Sequence, residues 1–471
     1  MTKPNIIFIM SDDHAAHAIS AYGSAINKTP NIDRIAAEGM RFDNCFCTNS
    51  ICAPSRAVIL TGKYNHLNGV RTLNDDMDNS QMNYAKLLQA EGYQTGISGK
   101  WHLGEKEENR PAGFDFWRVL PGQGLYHDPV FIDPDGKKVY KGYATDLITD
   151  FAIDWLDQRD RSRPFCLMIH HKAPHRPWEP DEAHANMYDD YDIPEPPTFN
   201  DDYDTRSACA KNTLMEVANH LNDRDLKADV PEGLTPEQEK SWKYQRYIKD
   251  YLRCIASVDD NVGRVIDYID NEGIRENTII IYTSDQGFFL GDHGWYDKRF
   301  MYEESLRMPF VISYPAKIKP GSVNTDMVVN IDFAPTFLQY AGVSIPEEIQ
   351  GESMCGLLEG KTPPEWRKSM YYRYFQNAGH GVCPHYGIRT HTHKLICYYA
   401  PAYSEPAYGE KGKPGILPAF ENINWPLWEL YDLNADPAEL NNIYDKPESK
   451  DVIDGLKSEL YRLKEYYKDF E

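Results

Sequence analysis

Residues 5–14 read NIIFIMSDDH, and this stretch decides the class of fold that the chain can adopt. The continuous apolar run over residues 5–10 is typical of a strand buried on both faces, as in parallel sheets. The run leads directly into Asp12 and Asp13. Two adjacent carboxylates at the end of a buried strand are costly unless a positive group lies beside them, so we expect a hard divalent cation there.

Three further strands are predicted over residues 93–98, 165–170 and 278–283. Each is followed by side chains that are suited to chemistry: Lys100, His102, His175, Asp285 and Gln286. In α/β sheets ligands bind at the carboxyl ends of the strands, so we expect these side chains to share one crevice with Asp12 and Asp13. Carboxylate and amide oxygens favour Ca²⁺ or Mg²⁺ over zinc.

Helices alternate with these strands over the first two thirds of the chain. They are predicted over residues 81–91, 143–158 and 242–272. This alternation predicts an α/β fold with a doubly wound, mostly parallel central sheet flanked by helices. Residues 111–143 are rich in Gly, Pro and aromatic side chains and are interpreted as a surface loop, and residues 179–204 as an insertion over the site.

The sequence changes character after about residue 351. Short strand-like pieces alternate there with turns rich in Pro and Gly, and residues 452–467 form an amphipathic helix pattern. We therefore predict two domains: a catalytic α/β domain over residues 1–350, and a smaller C-terminal subdomain over residues 351–471. The subdomain is expected to contain an antiparallel sheet and the closing helix.

A second informative stretch is Cys52-Ala53-Pro54-Ser55-Arg56, followed by Leu60-Thr61-Gly62-Lys63. Pro54 and Ser55 favour the first turn of a helix, which places Cys52 at the positive end of a helix dipole, where anions collect. The guanidinium of Arg56 fits a tetrahedral oxyanion. A lone Cys-x-Pro is more often a structural thiol beside a helix cap. The residues around Cys52 are therefore needed to distinguish a catalytic cysteine from a structural one.

The full pattern resembles the signature of the type I sulfatases, a formylglycine-dependent family of the alkaline phosphatase superfamily. In that family the cysteine is oxidised after translation to formylglycine, an aldehyde whose hydrate is the nucleophile, and Cys52 matches it. Lys63 stands where the family more often has Arg. The resemblance covers nearly the whole chain and implies a sulfuric ester hydrolase, matured by a formylglycine-generating enzyme or an anaerobic sulfatase-maturing enzyme.

The resemblance also implies a role for each site residue. Asp12, Asp13, Asp285 and Gln286 match the metal ligands, usually of calcium, although Gln286 replaces a commoner Asn. Arg56 matches the residue that holds the formylglycine hydrate, and Lys100 and Lys298 match the lysines that bind the sulfate oxygens. His102 matches the histidine beside the formylglycine, and His175 the one near the leaving-group oxygen. These roles imply covalent catalysis.

Two stretches of the sequence indicate the class of substrate. The loop over residues 172–178 and the stretch 284–298 look like those of bacterial carbohydrate sulfatases, including enzymes acting on N-acetylglucosamine 6-sulfate. The substrate is therefore expected to be a sulfated mono- or oligosaccharide, which His293, His385 and Arg389 are candidates to contact. Two alternatives stay open: a phosphonate monoester or phosphodiester hydrolase of the same superfamily, and a carbohydrate-binding protein with a dead site.

Charge and composition bear on the binding partners and on the cellular compartment of the protein. A net charge of -22 over 471 residues argues against binding nucleic acid or an anionic membrane through a general field. The nine cysteines show no zinc spacing and no disulfide framework, which suits a reducing compartment. We see no signal peptide in this chain and expect a cytoplasmic protein, or a periplasmic or secreted one if a leader was removed.

Overall fold

The structure, a computed structural model, describes residues 3–376, 378–404 and 415–471. Its strands are β1 (Asn5–Ser11), β2 (Met40–Phe42), β3 (Cys45–Phe46), β4 (Gln94–Lys100), β5 (Phe116–Leu120), β6 (Val130–Asp133), β7 (Gly136–Val139), β8 (Phe165–His170), β9 (Thr278–Ser284), β10 (Phe289–Leu290), β11 (Tyr296–Asp297), β12 (Phe310–Ser313), β13 (Ser322–Asn324), β14 (Val328–Val329), β15 (Ser369–Tyr374), β16 (His385–Thr390), β17 (His393–Tyr398) and β18 (Leu427–Asp432).

Its helices are α1 (Pro30–Ala37), α2 (Cys52–Thr61), α3 (Asn65–Asn68), α4 (Tyr84–Ala90), α5 (Ala144–Gln158), α6 (Ala208–Lys211), α7 (Val217–His220), α8 (Asp223–Leu226), α9 (Pro236–Asn271), α10 (Glu303–Leu306), α11 (Phe333–Tyr340), α12 (Cys355–Leu358) and α13 (Lys450–Tyr466). Among the described residues, none of these helices combines the length and apolar character that crossing a membrane requires.

A ten-stranded sheet forms the centre of the molecule, in the order β13-β2-β12-β9-β1-β8-β4-β5-β6-β7. The five strands from β9 to β5 run parallel to one another. The pairs β12–β9, β5–β6 and β6–β7 are antiparallel and lie toward the two edges. The predicted α/β fold with a mostly parallel central sheet is thereby confirmed.

Strand β1 shows why its sequence is apolar at consecutive positions. Ile6 and Phe8 face one hydrophobic cluster, which also contains side chains of α2 and α11. Ile7 and Ile9 face a second cluster, formed with α5 and α9. Successive side chains of a strand point to opposite faces, so a sheet covered by helices on both sides requires apolar residues at every position.

Residues 111–143 do not form the single surface loop that was predicted, because β5, β6 and β7 lie within them and extend the sheet. Trp117 and Val119 of β5 and Ile132 of β6 are buried against the core. Each strand spans only four or five residues without a regular apolar and polar alternation, and Gly and Pro residues surround it, so no strand pattern is visible in the sequence.

Helix α9 begins six residues earlier than predicted. Thr235 and Gln238 form a capping box, in which the Thr235 hydroxyl accepts from the Gln238 backbone N–H at 3.3 Å. The Gln238 side chain in turn accepts from the Thr235 backbone N–H at 2.9 Å. The first turns are polar and exposed, so apolar periodicity did not reveal them.

Strands β15 to β18 form a four-stranded antiparallel sheet, and α13 packs on it. The smaller C-terminal sheet and the closing helix were both predicted, and both are confirmed. Leu460 of α13 and Tyr371 of β15 belong to the same hydrophobic cluster as Phe8 of the central sheet, so one continuous core joins the two parts. The boundary near residue 350 stays a prediction.

Candidate active site

The candidate residues converge at the carboxyl ends of four neighbouring parallel strands, β9, β1, β8 and β4. Helix α2 and the loop after β11 supply the remainder. The residues brought together in this way are Cys52, Arg56, Lys100, His102, His175, Lys298, Asp12, Asp13, Asp285 and Gln286. Their individual roles stay predictions.

The three aspartates are fully buried, and each is paired with a cation. Arg56 Nη2 lies 2.9 Å from Asp285 Oδ2 and 3.5 Å from Asp12 Oδ2. Lys298 Nζ lies 2.7 Å from Asp13 Oδ1, and Lys100 Nζ donates to Asp12 Oδ2. Three carboxylates therefore face three cations in a site that excludes water, where charge interactions are strong.

The three carboxyl groups differ in acidity because their neighbours differ. Burial opposes ionisation, but Lys100, with His175 and Arg56, holds the pKa of Asp12 well below its usual range. Burial, opposed by Lys298 and reinforced by Asp12, raises the pKa of Asp13 to about 7. Burial and the Asp12 carboxylate raise the pKa of Asp285 to about 6. Burial thus favours the protonated form at Asp13 and Asp285, and the nearby cations only partly offset it.

These residues fit a hard divalent cation. Among the described residues, neither Asp12 Oδ1 nor Gln286 Oε1 has a hydrogen-bond partner, although both atoms are buried. One ligand atom each of Asp12, Asp13 and His175 lies within 4.8 Å of the others. Buried oxygens without a donor are costly, and a cation that they coordinate removes that cost. The set is rich in oxygen, and His175 lies beside Asp12 and Asp13, as the shared crevice predicts.

Cys52 is the first residue of α2, and its side chain is buried. The Ser55 hydroxyl donates to the backbone carbonyl of Asp285 and accepts from Asn330 Nδ2 at 2.9 Å, which ties the start of the helix to the acidic cluster. Burial raises the pKa of the Cys52 thiol, although Lys100 lowers it. The thiol is therefore protonated at neutral pH, and a protonated thiol is a weak nucleophile.

The two predicted catalytic histidines are held as neutral rings. Burial, reinforced by Lys100, keeps the pKa of both His102 and His175 well below the usual range. His175 Nδ1 lies 2.7 Å from the Arg176 carbonyl and donates to it, so Nε2 faces the cluster, 3.8 Å from Asp13 Oδ2. His102 adopts a left-handed backbone with φ of 57°. Such conformations concentrate at functional sites.

The three predicted sugar contacts all have protein partners of their own. His293 is fully buried, and its Nδ1 lies 2.9 Å from Asp201 Oδ2. His385 is also fully buried, stacks on Tyr372, and lies 2.8 Å from the Cys383 carbonyl. Their contact with substrate stays a prediction.

Arg389 Nε and Nη2 each lie 3.2 Å from a carboxylate oxygen of Glu303. Arg389 also borders a cavity of about 420 Å³, together with His17 and Asp292. Its guanidinium is thus engaged in an ion pair, and its contact with the sugar likewise stays a prediction.

Two residues near the site were given no role from the sequence. Gln123 Oε1 accepts a hydrogen bond from Lys100 Nζ, although Gln123 lies in the stretch that was interpreted as a surface loop. Lys172 is buried, with its ammonium 4.5 Å from the centroid of the Tyr126 ring. Burial and the nearby Lys100 lower the pKa of Lys172 to about 7. The only sequence signal for Gln123 was its position between two glycines.

Comparison with known proteins identifies relatives over the whole chain. A family model described as Sulfatase matches residues 4–343. A second, described as N-sulphoglucosamine sulphohydrolase, C-terminal, matches residues 291–417 and 417–466. The N-acetylglucosamine-6-O-sulfatase of Bacteroides thetaiotaomicron is 44% identical, over 99% of this chain and 87% of its own length.

Two solved structures are informative. One is a protein in complex with its substrate D-glucosamine-2-N,6-O-disulfate, with a TM-score of 0.92, 43% identity, and coverage of 100% of this chain and 99% of that chain. The other is the phosphonate monoester hydrolase of Agrobacterium radiobacter, with a TM-score of 0.74, 21% identity, and coverage of 98% and 96%. The second likeness shows the fold alone.

Proposed function

Because this chain belongs to the sulfatase family and is a sulfuric ester hydrolase acting on a sulfated carbohydrate, we propose that its substrate is a glucosamine or N-acetylglucosamine residue with sulfate on O6. A relative identified by its sequence and a solved structure support this proposal. One is named for N-acetylglucosamine 6-O-sulfate, and the other holds a 6-O-sulfated glucosamine as its substrate. The observation that carries the sugar is the match over nearly the whole chain to these proteins, and the observation that carries the sulfate ester is the group of three buried cations, Arg56, Lys100 and Lys298, around Cys52.

The charge balance of the site suits a sulfate ester. The three cations offset the three carboxylates, so a bound divalent cation leaves the site with an excess of positive charge for the anionic substrate. We propose Ca²⁺ for this position, with Mg²⁺ as the alternative, held by Asp12, Asp13, Asp285 and Gln286. When bound, such a cation would supply Lewis acidity to the site.

We further propose that Cys52 is oxidised to formylglycine, which supplies the nucleophile. The buried, protonated thiol supports this proposal, because an unmodified sulfur is poorly suited to attack. A formylglycine-generating enzyme or an anaerobic sulfatase-maturing enzyme would act on Cys52. Since the cysteine lies in a fully buried helix, that enzyme needs a chain that is unfolded or opened at α2.

The other residues position the sulfate and move protons. Lys100 and Lys298 donate to the sulfate oxygens, and Arg56, held by Asp285 and by the Lys100 carbonyl at 2.8 Å, orients the nucleophile. His175 presents Nε2 to the leaving-group oxygen, because Nδ1 donates to the Arg176 carbonyl, and it protonates that oxygen only after Nε2 has itself taken up a proton to give the imidazolium. The neutral ring of His102 can accept a proton beside Cys52.

The test combines a mass measurement with a substrate panel. Peptide mass spectrometry of the segment that contains Cys52 should show conversion of the thiol to the aldehyde in protein co-expressed with a maturing enzyme. That protein should release sulfate from N-acetylglucosamine 6-sulfate and glucosamine-2-N,6-O-disulfate faster than from galactose 6-sulfate. A preference for galactose 6-sulfate would contradict the proposed sugar, and an aryl phosphodiester turned over faster than any sulfate ester would favour the phosphodiesterase alternative.

A further inference from the structure

A tight turn over residues 121–124 lies beside the sulfate-binding candidate Lys100. Strand β5 runs parallel to β4, and Leu120 at its end is paired in register with Lys100. The backbone N–H of Gly124 then donates to the Pro121 carbonyl at 2.9 Å and closes the turn. The chain therefore reverses at the carboxyl edge of the sheet, where Gln123 reaches the site.

The geometry of the turn depends on its glycines. Gly122 and Gly124 have φ of 49° and 69°, values that glycine adopts without strain. A Cβ atom on Gly124 would lie only 2.8 Å from Leu120 Cδ1. Downstream, the Tyr126 hydroxyl donates to the His175 carbonyl at 2.7 Å. The turn is thus anchored on both sides, at Lys100 and at the His175 loop.

Only one orientation of the Gln123 amide is compatible with its hydrogen bond to Lys100. Its Oε1 accepts from Lys100 Nζ, and the same ammonium also donates to Asp12 Oδ2. An ammonium can donate but cannot accept, so the amide oxygen must face it. The two N–H groups then lie on the other arm of the same planar amide, close to the Lys100 ammonium.

We propose that Gln123 is a sulfate-contacting residue, which holds Lys100 in place through Oε1 and donates from Nε2 to an oxygen of the substrate's sulfate group. This inference rests on the proposed function and adds a recognition residue to the same site. A neutral amide suits the position, because it supplies a donor while leaving the balance between the aspartates and the cations unchanged. A carboxylate of the same shape would instead repel the sulfate and neutralise Lys100.

The test uses the nearly isosteric variant Gln123→Glu, with Gln123→Ala beside it. In formylglycine-containing enzyme we expect Gln123→Glu to raise KM roughly tenfold or more, and Gln123→Ala to raise it less, because Ala removes a donor without adding a charge. The matched control is Gln339→Glu, which adds the same charge at an exposed position of α11. The control should keep the KM of the parent protein.

A second readout does not depend on turnover. The affinity for inorganic sulfate, a reaction product, can be measured by calorimetric titration of protein that carries the unmodified thiol. Gln123→Glu should weaken sulfate binding most, and Gln123→Ala should weaken it less. Far-UV circular dichroism and the thermal midpoint check that each variant folds. If folded Gln123→Glu binds sulfate and turns over substrate within about twofold of an active parent, the contact is refuted. If the parent itself neither binds sulfate nor hydrolyses sulfate esters, the proposed function fails instead.

Discussion

Cation binding at the acidic cluster should depend steeply on pH, and the dependence can be worked out from Asp13. The pKa of its buried carboxyl group is raised to about 7, whereas in an unfolded chain it titrates near 3.8. Between these values the folded, metal-free protein holds a proton that the unfolded chain releases. The carboxyl group therefore makes the metal-free protein less stable as the pH rises from about 4 to about 7.

A divalent cation at this position has to displace the proton of Asp13. Near pH 5, two units below the folded-state pKa, releasing that proton costs about 3 kcal/mol. Near pH 8 the group is already ionised, and the cost is close to zero. Asp285, whose pKa is raised to about 6, adds a smaller cost of the same sign, so we expect the stabilisation by Ca²⁺ to be at least about 3 kcal/mol greater at about pH 8 than at about pH 5.

The assay is urea unfolding at both pH values, with excess CaCl₂ or with chelator. At each pH, the free energy of unfolding in chelator is subtracted from that in CaCl₂. This difference removes the contribution of titrating groups outside the cation site. Asp13→Asn should remove most of the Ca²⁺ increment at the higher pH. The matched control is Asp259→Asn, because burial raises the pKa of Asp259 to about 6 and that carboxylate accepts from the Asn31 and Ile32 backbone N–H groups, outside the candidate site. The reasoning is refuted if the Ca²⁺ increment is the same at both pH values, within about 1 kcal/mol.

Three further predictions concern single residues. Cys52→Ala should lower the rate of sulfate release by about 10³-fold or more while the thermal midpoint changes little, and turnover within about tenfold of the parent would exclude the proposed nucleophile. Arg56→Met should lower the free energy of unfolding by about 3–5 kcal/mol in chelator, because Asp285 is left buried without its partner, and urea unfolding measures this loss. Arg389→Met tests the predicted sugar contact. We expect a lower thermal midpoint, because the ion pair with Glu303 is lost. An unchanged thermal midpoint with a raised KM would instead show that Arg389 contacts the substrate.

Several features were readable from the sequence because they depend on neighbours along the chain. The apolar run before Asp12 indicates a strand covered on both faces, and β1 is one. The Cys52 to Arg56 stretch predicts a helix start, and α2 begins at Cys52. The polar residues that follow each strand predict a shared crevice, because parallel strands present their carboxyl ends at one edge.

The tertiary structure decided the pairing of side chains that are far apart in the sequence. Lys100 and Gln123 meet through the register of β4 and β5, which no local pattern encodes. His293 and Arg389 each meet a carboxylate that packing brings to them, Asp201 for His293 and Glu303 for Arg389. Local propensity and hydrophobic period determine where a strand or helix forms and which face it buries. Which charged groups share a buried site, and hence their pKa values, depends on distances that exist only after the chain has folded.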